Sequence, residues 1–170
     1  MRSQGTVMND IFLKACRREK VPYTPVWIMR QAGRYMKEYR DIREKYSFIS
    51  LCKTPDLAAE VTLTPVKKLD VDAAILFSDI LILAEAMGLD IVFNEKDGPQ
   101  IKNPVRDNSS VDALFVPDPE DKVPFVMETI RILRKNLERG IPLIGFSGAP
   151  FTLASYMVEG GTSRNFTIIK

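Results

Sequence analysis

Histidine is absent from this chain of 170 residues. That single absence removes Ser-His-Asp and Cys-His catalysis, HExxH zinc sites and the usual proton carrier of neutral pH. Cysteine is scarce: Cys16 and Cys52 are the only two, too far apart for a disulfide framework or a zinc spacing. Each is expected to be buried as a small hydrophobe. No run approaches the roughly 20 apolar residues that cross a bilayer. The opening residues, MRSQGTVMNDIFLKACRRE, show no apolar core or small-residue cleavage site of a secretory signal. Neither sign of charge dominates, since 24 Lys+Arg against 22 Asp+Glu leave +2, and nucleic acid is not an expected partner. Neither the dinucleotide glycine fingerprint nor the P-loop glycine-lysine pattern occurs. A soluble, cytoplasmic protein without a membrane partner is expected. Its chemistry must run on Asp, Glu, Arg, Lys, Tyr or the backbone.

What is present is ordinary for a globular domain, with 45% hydrophobic and 27% charged residues. Asn9 to Arg18 reads as an amphipathic helix behind an Asn/Asp cap. Pro25 to Met29 reads as a short buried strand, and Met36 to Lys45 as a charged helix. Thr54-Pro55-Asp56 starts a helix running to Leu69 that Pro65 should kink or divide. Asp72 to Phe77 is the second expected strand, then a helix over Ile80 to Met87 closed by Gly88. Asp90 to Asn94 reads as an extended excursion and Glu95 to Asp107 as a polar connection. A helix over Val123 to Arg139, a third strand at Pro142 to Phe146 and a helix over Phe151 to Glu159 complete the order. Apolar strands alternating with helices indicate an α/β fold with a parallel sheet. In such folds ligands sit beyond the C-terminal ends of the strands.

Unusual polar residues follow each expected strand. In RQAGRYMKEYRDIR, Arg30 and Arg34 flank Gly33, and guanidinium groups at a strand end can hold carboxylates or phosphates bidentately. Ala32 and Gly33 leave room for a close ligand. Arg40 and Arg43 read more simply as a solvated helix face with Glu38, Asp41 and Glu44 as partners. Asp79, between Phe77-Ser78 and Ile80-Leu81, is either the cap of the helix starting at Ile80 or an acceptor for a ligand's N–H groups. The stretch Gly145 to Tyr156 pairs small residues with a phenol, although Tyr156 by itself reads as a packed aromatic.

Together the segments PVWIMRQAGRYMKEYRDIR, TPDLAAEVTLTPVKKLDVDAAILFSDIL and GFSGAPFTLASYMVEGG resemble the uroporphyrinogen decarboxylase family, in the family's order and without gaps. The resemblance covers the N-terminal half of the family pattern. It implies a (β/α)8 TIM barrel, typically of about 250 residues or more, of which this chain supplies the first half. Residues 1–170 would then be the N-terminal part of one barrel domain, a fragment of the enzyme, with 1–8 a flexible leader. The resemblance implies a cofactor-free and metal-free carboxy-lyase, a homodimer, that converts uroporphyrinogen III to coproporphyrinogen III by removing CO2 from four acetate arms. By matching positions, Asp79 and Arg30 would be catalytic. Arg30, Gln31, Ala32, Gly33, Arg34, Arg43, Asp79 and Tyr156 would contact the substrate. The family's Ser or Thr and its His from the C-terminal half have no counterpart here. Two other readings stand beside this one: a corrinoid or cobalamin-dependent methyltransferase on a related barrel, and a non-catalytic porphyrin-binding fragment.

Overall fold

The strand expected at Pro25 to Met29 is not a strand in the computed structural model, which describes residues 10–94 and 98–170. The segment is extended, but its side chains face water: Val26, Ile28 and Met29 are 52%, 48% and 63% exposed. The reason lies in where its backbone groups go. The Val26 N–H donates to the Asp72 carboxylate at 2.8 Å and the Val26 carbonyl accepts from the Asp72 N–H at 2.8 Å. Ile28 turns both its backbone groups onto Gln31 instead. The backbone groups of Val26 and Ile28, which would face a neighbouring strand on that edge, are thus used up. The expected leader at 1–8 lies outside the described residues.

The described chain divides into two compact units, one running up to Phe77 and joined by Glu128–Gly145, the other made of Ser78–Met127 and Phe146–Lys170. In the first, α1 (Ile11–Cys16) follows Asp10, whose carboxylate pairs with Lys14 one turn on. Helix α1 has no fully buried residue, so Cys16 is exposed, contrary to expectation, whereas Cys52 is buried. Helix α2 spans Lys37–Lys45, and α3 (Phe48–Lys53) starts where the Ser47 hydroxyl accepts the Ser50 N–H. Helix α4 (Pro55–Leu69) starts at the Thr54-Pro55 signal and runs undivided through the buried Pro65 to a left-handed Asp70, φ 52°. The buried Thr62 hydroxyl donates to the Ala58 carbonyl and accepts the Phe77 N–H at 3.0 Å, stitching α4 to the chain that leads out of the sheet.

That sheet is one parallel pair. Strand β1 (Ala74–Ile75) lies beside β4 (Leu143–Ile144) with Ala74 opposite Leu143. Both are shorter than their apolar runs, because the flanking residues find no third strand among the described residues. Val66, Val71, Ala74 and Ile141 form the core beneath them, with Leu137 and Leu143 against it. The parallel pairing and its helical connections are the α/β order read from the sequence.

In the second unit, α5 (Ile82–Ala86) ends at Gly88, whose φ of 108° favours glycine. The expected connection after Asn94 contains a strand: β3 (Gly98–Ile101) pairs antiparallel with β2 (Ile91–Asn94), Ile91 opposite Ile101. The hairpin continues onto the end of α9 (Pro150–Glu159), where the Ile101 N–H donates to Gly160 and the Val105 N–H to Met157. Pairing with α9's end supplies partners that a polar segment rich in Gly and Pro does not advertise. Short helices α6 (Asn108–Asp112), started by an Asp107/Ser110 capping box, and α7 (Pro119–Lys122) follow. Leu81, Ala84, Leu89, Ile101, Val105, Leu153 and Met157 make this unit's core. Helix α8 (Pro124–Asn136) begins in this unit, but its buried Thr129 and Leu133 belong to the first.

Candidate active site

In the first unit the candidate residues lie on one loop after the extended segment. Gln31 is its anchor. Its side chain is 1% exposed. Oε1 accepts the Ile28 N–H at 3.2 Å, and Nε2 donates to the Ala73 carbonyl at 3.2 Å. Its own carbonyl accepts the Tyr35 hydroxyl. Gln31 is thus consumed by the fold, and the loop's start is fixed to the residue before β1. Gly33 packs beneath Tyr35, since a Cβ there would stand 3.3 Å from the tyrosine ring. Ala32 is half-buried beside it.

Arg30 and Arg34 are exposed, and neither guanidinium forms a hydrogen bond or ion pair among the described residues. A loop held this firmly while its cations stay unpaired keeps their full donor capacity for an incoming anion. The helix arginines are different. Arg40 donates to the carbonyls of Arg34 and Tyr35 at 2.8 and 3.1 Å, closing the loop from α2. Arg43 donates to the Tyr46 carbonyl and reaches the Tyr39 phenol. Two of the three acids expected to pair with them bind lysines instead: Asp41 with Lys37 and Glu38 with Lys68. Burial pushes the Tyr39 phenol up, opposed by the charges of Arg43 and Arg34.

In the second unit Asp79 is half-buried, and its helix begins later than expected, at Ile82 with Leu81 as the cap residue. Asp79 therefore does not cap the helix directly. Its Oδ1 accepts the Leu81 N–H at 2.8 Å, an Asx turn that steers the chain into α5. Oδ2 has no hydrogen-bond partner among the described residues. Burial pushes this carboxyl above its ordinary value, the Leu81 N–H pulls it down, and the charge of Glu85 pushes it up again, the net being a raised pKa. Ile80 and Leu81, the next two residues, pack in the core cluster that Tyr156 also covers. Gly148 is needed for this: a Cβ there would lie 2.7 Å from Leu153 Cδ2 and 3.3 Å from Ile80 Cβ. Thus the Asp79 turn and the Tyr156 helix share one core within the unit.

Tyr156 lines a cavity of about 140 Å³ with Phe151, Thr152, Ser155, Gly161, Thr162, Ser163 and Phe166. The sequence reading named only the tyrosine. Thr152, four residues before Tyr156 and so one turn away on α9, was legible from helical spacing. Ser163 and Phe166 were not, because they reach the cavity only through the fold-back after Gly160. Neither the Thr152 nor the Tyr156 hydroxyl makes a hydrogen bond among the described residues. Among the described residues, no helix is long and apolar enough to cross a membrane.

Comparison with known proteins accords with these features. The family model for uroporphyrinogen decarboxylase matches residues 8–170. A uroporphyrinogen decarboxylase from Carboxydothermus hydrogenoformans is 64% identical over 94% of this chain and 45% of its own length. One from Desulfotalea psychrophila is 61% identical, again over 94% of this chain and 46% of its own length. Among solved structures, a methyltransferase from Methanosarcina mazei matches with a TM-score of 0.71 and 25% identity, over 89% of this chain and 45% of that one. The chain spans a little under half the length of each of these proteins. Matched across nearly all its residues and through every motif described above, it belongs to the uroporphyrinogen decarboxylase family.

Proposed function

We propose that this chain carries the N-terminal half of a uroporphyrinogen III decarboxylase, a cytoplasmic, homodimeric enzyme whose (β/α)8 barrel is completed by the part its relatives have in addition. The observation that supports this best is the Asp79 carboxylate, half-buried, with one oxygen fixed by the Leu81 N–H and the other unpartnered among the described residues. In the reaction, an acetate arm on a pyrrole loses CO2. A proton adds to the ring carbon next to the one that bears the arm, and the ring becomes a cation whose arm-bearing carbon accepts the electron pair of the breaking C–C bond as an exocyclic double bond. A second proton converts the resulting methylene to methyl while the first leaves the ring, so each arm takes up one proton and releases one CO2.

A fixed carboxylate accepting the pyrrole N–H groups lowers the energy of that cation as it forms. The substrate is its own electron sink, which suits a chain without histidine. Arg30 and Arg34, unpaired among the described residues, take substrate carboxylates, each through charge-assisted bonds worth about 1.5–3 kcal/mol. Arg30 or a water it holds is the proton donor. Tyr156 lies against the substrate, Gln31, Ala32 and Gly33 shape the arginine loop, and Arg43 supports it. The likeness to a methyltransferase, at 25% identity against 64% for the decarboxylase, ranks below this reading.

The test is a chimera in which residues 8–170 replace the matching part of the Carboxydothermus relative. Coproporphyrinogen III formed from uroporphyrinogen III at a rate within about tenfold of the parent is the expected result. A folded chimera without turnover would overturn the reading.

A further inference from the structure

The cavity beside Tyr156 has two walls of different origin. Helix α9 supplies Phe151, Thr152, Ser155 and Tyr156, whereas Gly161, Thr162, Ser163 and Phe166 come from the chain that follows it. That following chain turns at Gly160, φ 83°, and folds back along the helix. Its first residue is fixed against the hairpin, since a Cβ on Gly161 would lie 2.9 Å from the Pro99 carbonyl oxygen. The rest hangs on one side chain. Glu159 Oε1 accepts the N–H groups of Ile168 and Ile169 at 2.9 and 3.1 Å. Its carboxylate also hydrogen-bonds Ser163, and the Arg106 charge lies near it. Ser163 in turn accepts the Phe166 N–H at 3.1 Å, and the Phe166 ring stands 6.3 Å from that of Phe151 across the opening.

Glu159 does not itself line the cavity. Its bonds run to the Ile168 and Ile169 N–H groups, outside the lining, and to Ser163 within it, so it shapes the space without itself lining it. Inside, Ser155 is spent on the Phe151 carbonyl. Thr152 and Tyr156, one turn apart, keep hydroxyl donors uncommitted among the described residues. Two uncommitted hydroxyl donors one turn apart, in a cavity also lined by Phe151 and Phe166, suit one carboxylate-bearing arm of an aromatic-ring substrate.

We propose that Glu159 is a positioning residue for the substrate site: by tying residues 163–169 to the end of α9 it forms the cavity in which a substrate carboxylate accepts from Thr152 and Tyr156. The inference rests on the function proposed above for the identity of its ligand, and on the hydrogen bonds alone for the latch.

Both parts are separable in the 170-residue chain itself, using amide hydrogen exchange and titration with uroporphyrin, the stable oxidised form of the proposed substrate. Glu159→Ala should accelerate exchange at Ile168 and Ile169 by at least about tenfold and weaken uroporphyrin binding by a similar factor, a loss of about 1.4 kcal/mol. Glu159→Gln keeps a carbonyl acceptor for both amides and should stay within about twofold of the wild type in both readouts. Exchange at Leu89 and Ile101, in the core of the same unit, should be unchanged in either variant. Unchanged exchange at 168–169 in Glu159→Ala would overturn the latch. Faster exchange there with undiminished uroporphyrin binding would overturn the positioning role. General loss of protection in Glu159→Ala and Glu159→Gln alike would reduce Glu159 to a stabilising residue and overturn the proposal. A wild-type chain that fails to bind uroporphyrin, while the exchange pattern is as expected, would remove the substrate reading and the positioning role with it, and leave the latch standing.

Discussion

The arginine loop and the Asp79 turn solve the same problem in opposite ways. The loop keeps its charges in water: Arg30 and Arg34 are exposed and unpaired among the described residues, while a neutral, fully buried side chain, Gln31, holds the backbone in place. Rigidity is thus obtained without desolvating a cation, and the electrostatic attraction is left for the ligand. Asp79 instead carries its charge partly into the protein. It has one hydrogen bond to offset the loss of water, and its carboxyl is raised by burial. A group kept uncomfortable when empty gains most when a positive charge develops beside it. Under the proposed function, the contrast gives Arg34 a binding role and Asp79 the stabilisation of the transition state.

The comparison breaks first at Asp79. In the chimera, Asp79→Asn retains the Leu81 N–H acceptor and the side chain's volume but loses the charge, so kcat should fall about 100-fold or more with KM little changed. Steady-state kinetics would show it. Arg34→Ala should do the reverse, raising KM by about tenfold or more with a smaller effect on kcat. A loss confined to kcat would dissolve the division between the two regions.

Stability sharpens the contrast further. Gln31→Leu fills the same space but leaves the Ala73 carbonyl and Ile28 N–H without partners, a cost of about 1–3 kcal/mol readable in urea denaturation. Gly148→Ala should cost a similar or smaller amount, about 1–3 kcal/mol, because Leu153 must move away from the new methyl. The smallest effect is one of pH. A carboxyl whose folded pKa is raised favours the folded state when protonated, and that advantage is lost as pH rises through the folded value. Asp79→Asn should therefore melt higher than wild type at pH 7, the gap closing as pH falls through the raised folded value and gone once pH is below the ordinary carboxyl value of 3.8. A gap that widens on acidification would contradict the burial argument.

Much of this was legible in the residues. Thr54-Pro55 marked the start of α4 and Gly88 the end of α5, because capping and left-handed termini are set by neighbours in sequence. The α/β order and the loops carrying Arg30, Arg34 and Asp79 followed from the strand and helix patterns. The failures were all non-local. Pro25 to Met29 has the composition of a strand, but whether such a run is buried depends on partners elsewhere, and its backbone bonds go to Asp72 and Gln31 rather than to a strand. Strand β3 was hidden because Gly98 and Pro99 read as turn residues until paired with Asn94 and Phe93. Gln31 looked like part of a ligand loop, and only its reach to Ala73 across the fold shows it to be an anchor. Glu159 read only as the last residue of a helix before two glycines, since its partners lie on a segment that folds back.

The most direct test of the division of labour is single-turnover kinetics of the Asp79→Asn chimera at saturating uroporphyrinogen III. Undiminished binding with CO2 release slowed about 100-fold or more is the expected result. Release at the unsubstituted chimera's rate, or a loss restored in full by raising substrate concentration, would contradict the assignment of Asp79 to the reacting pyrrole.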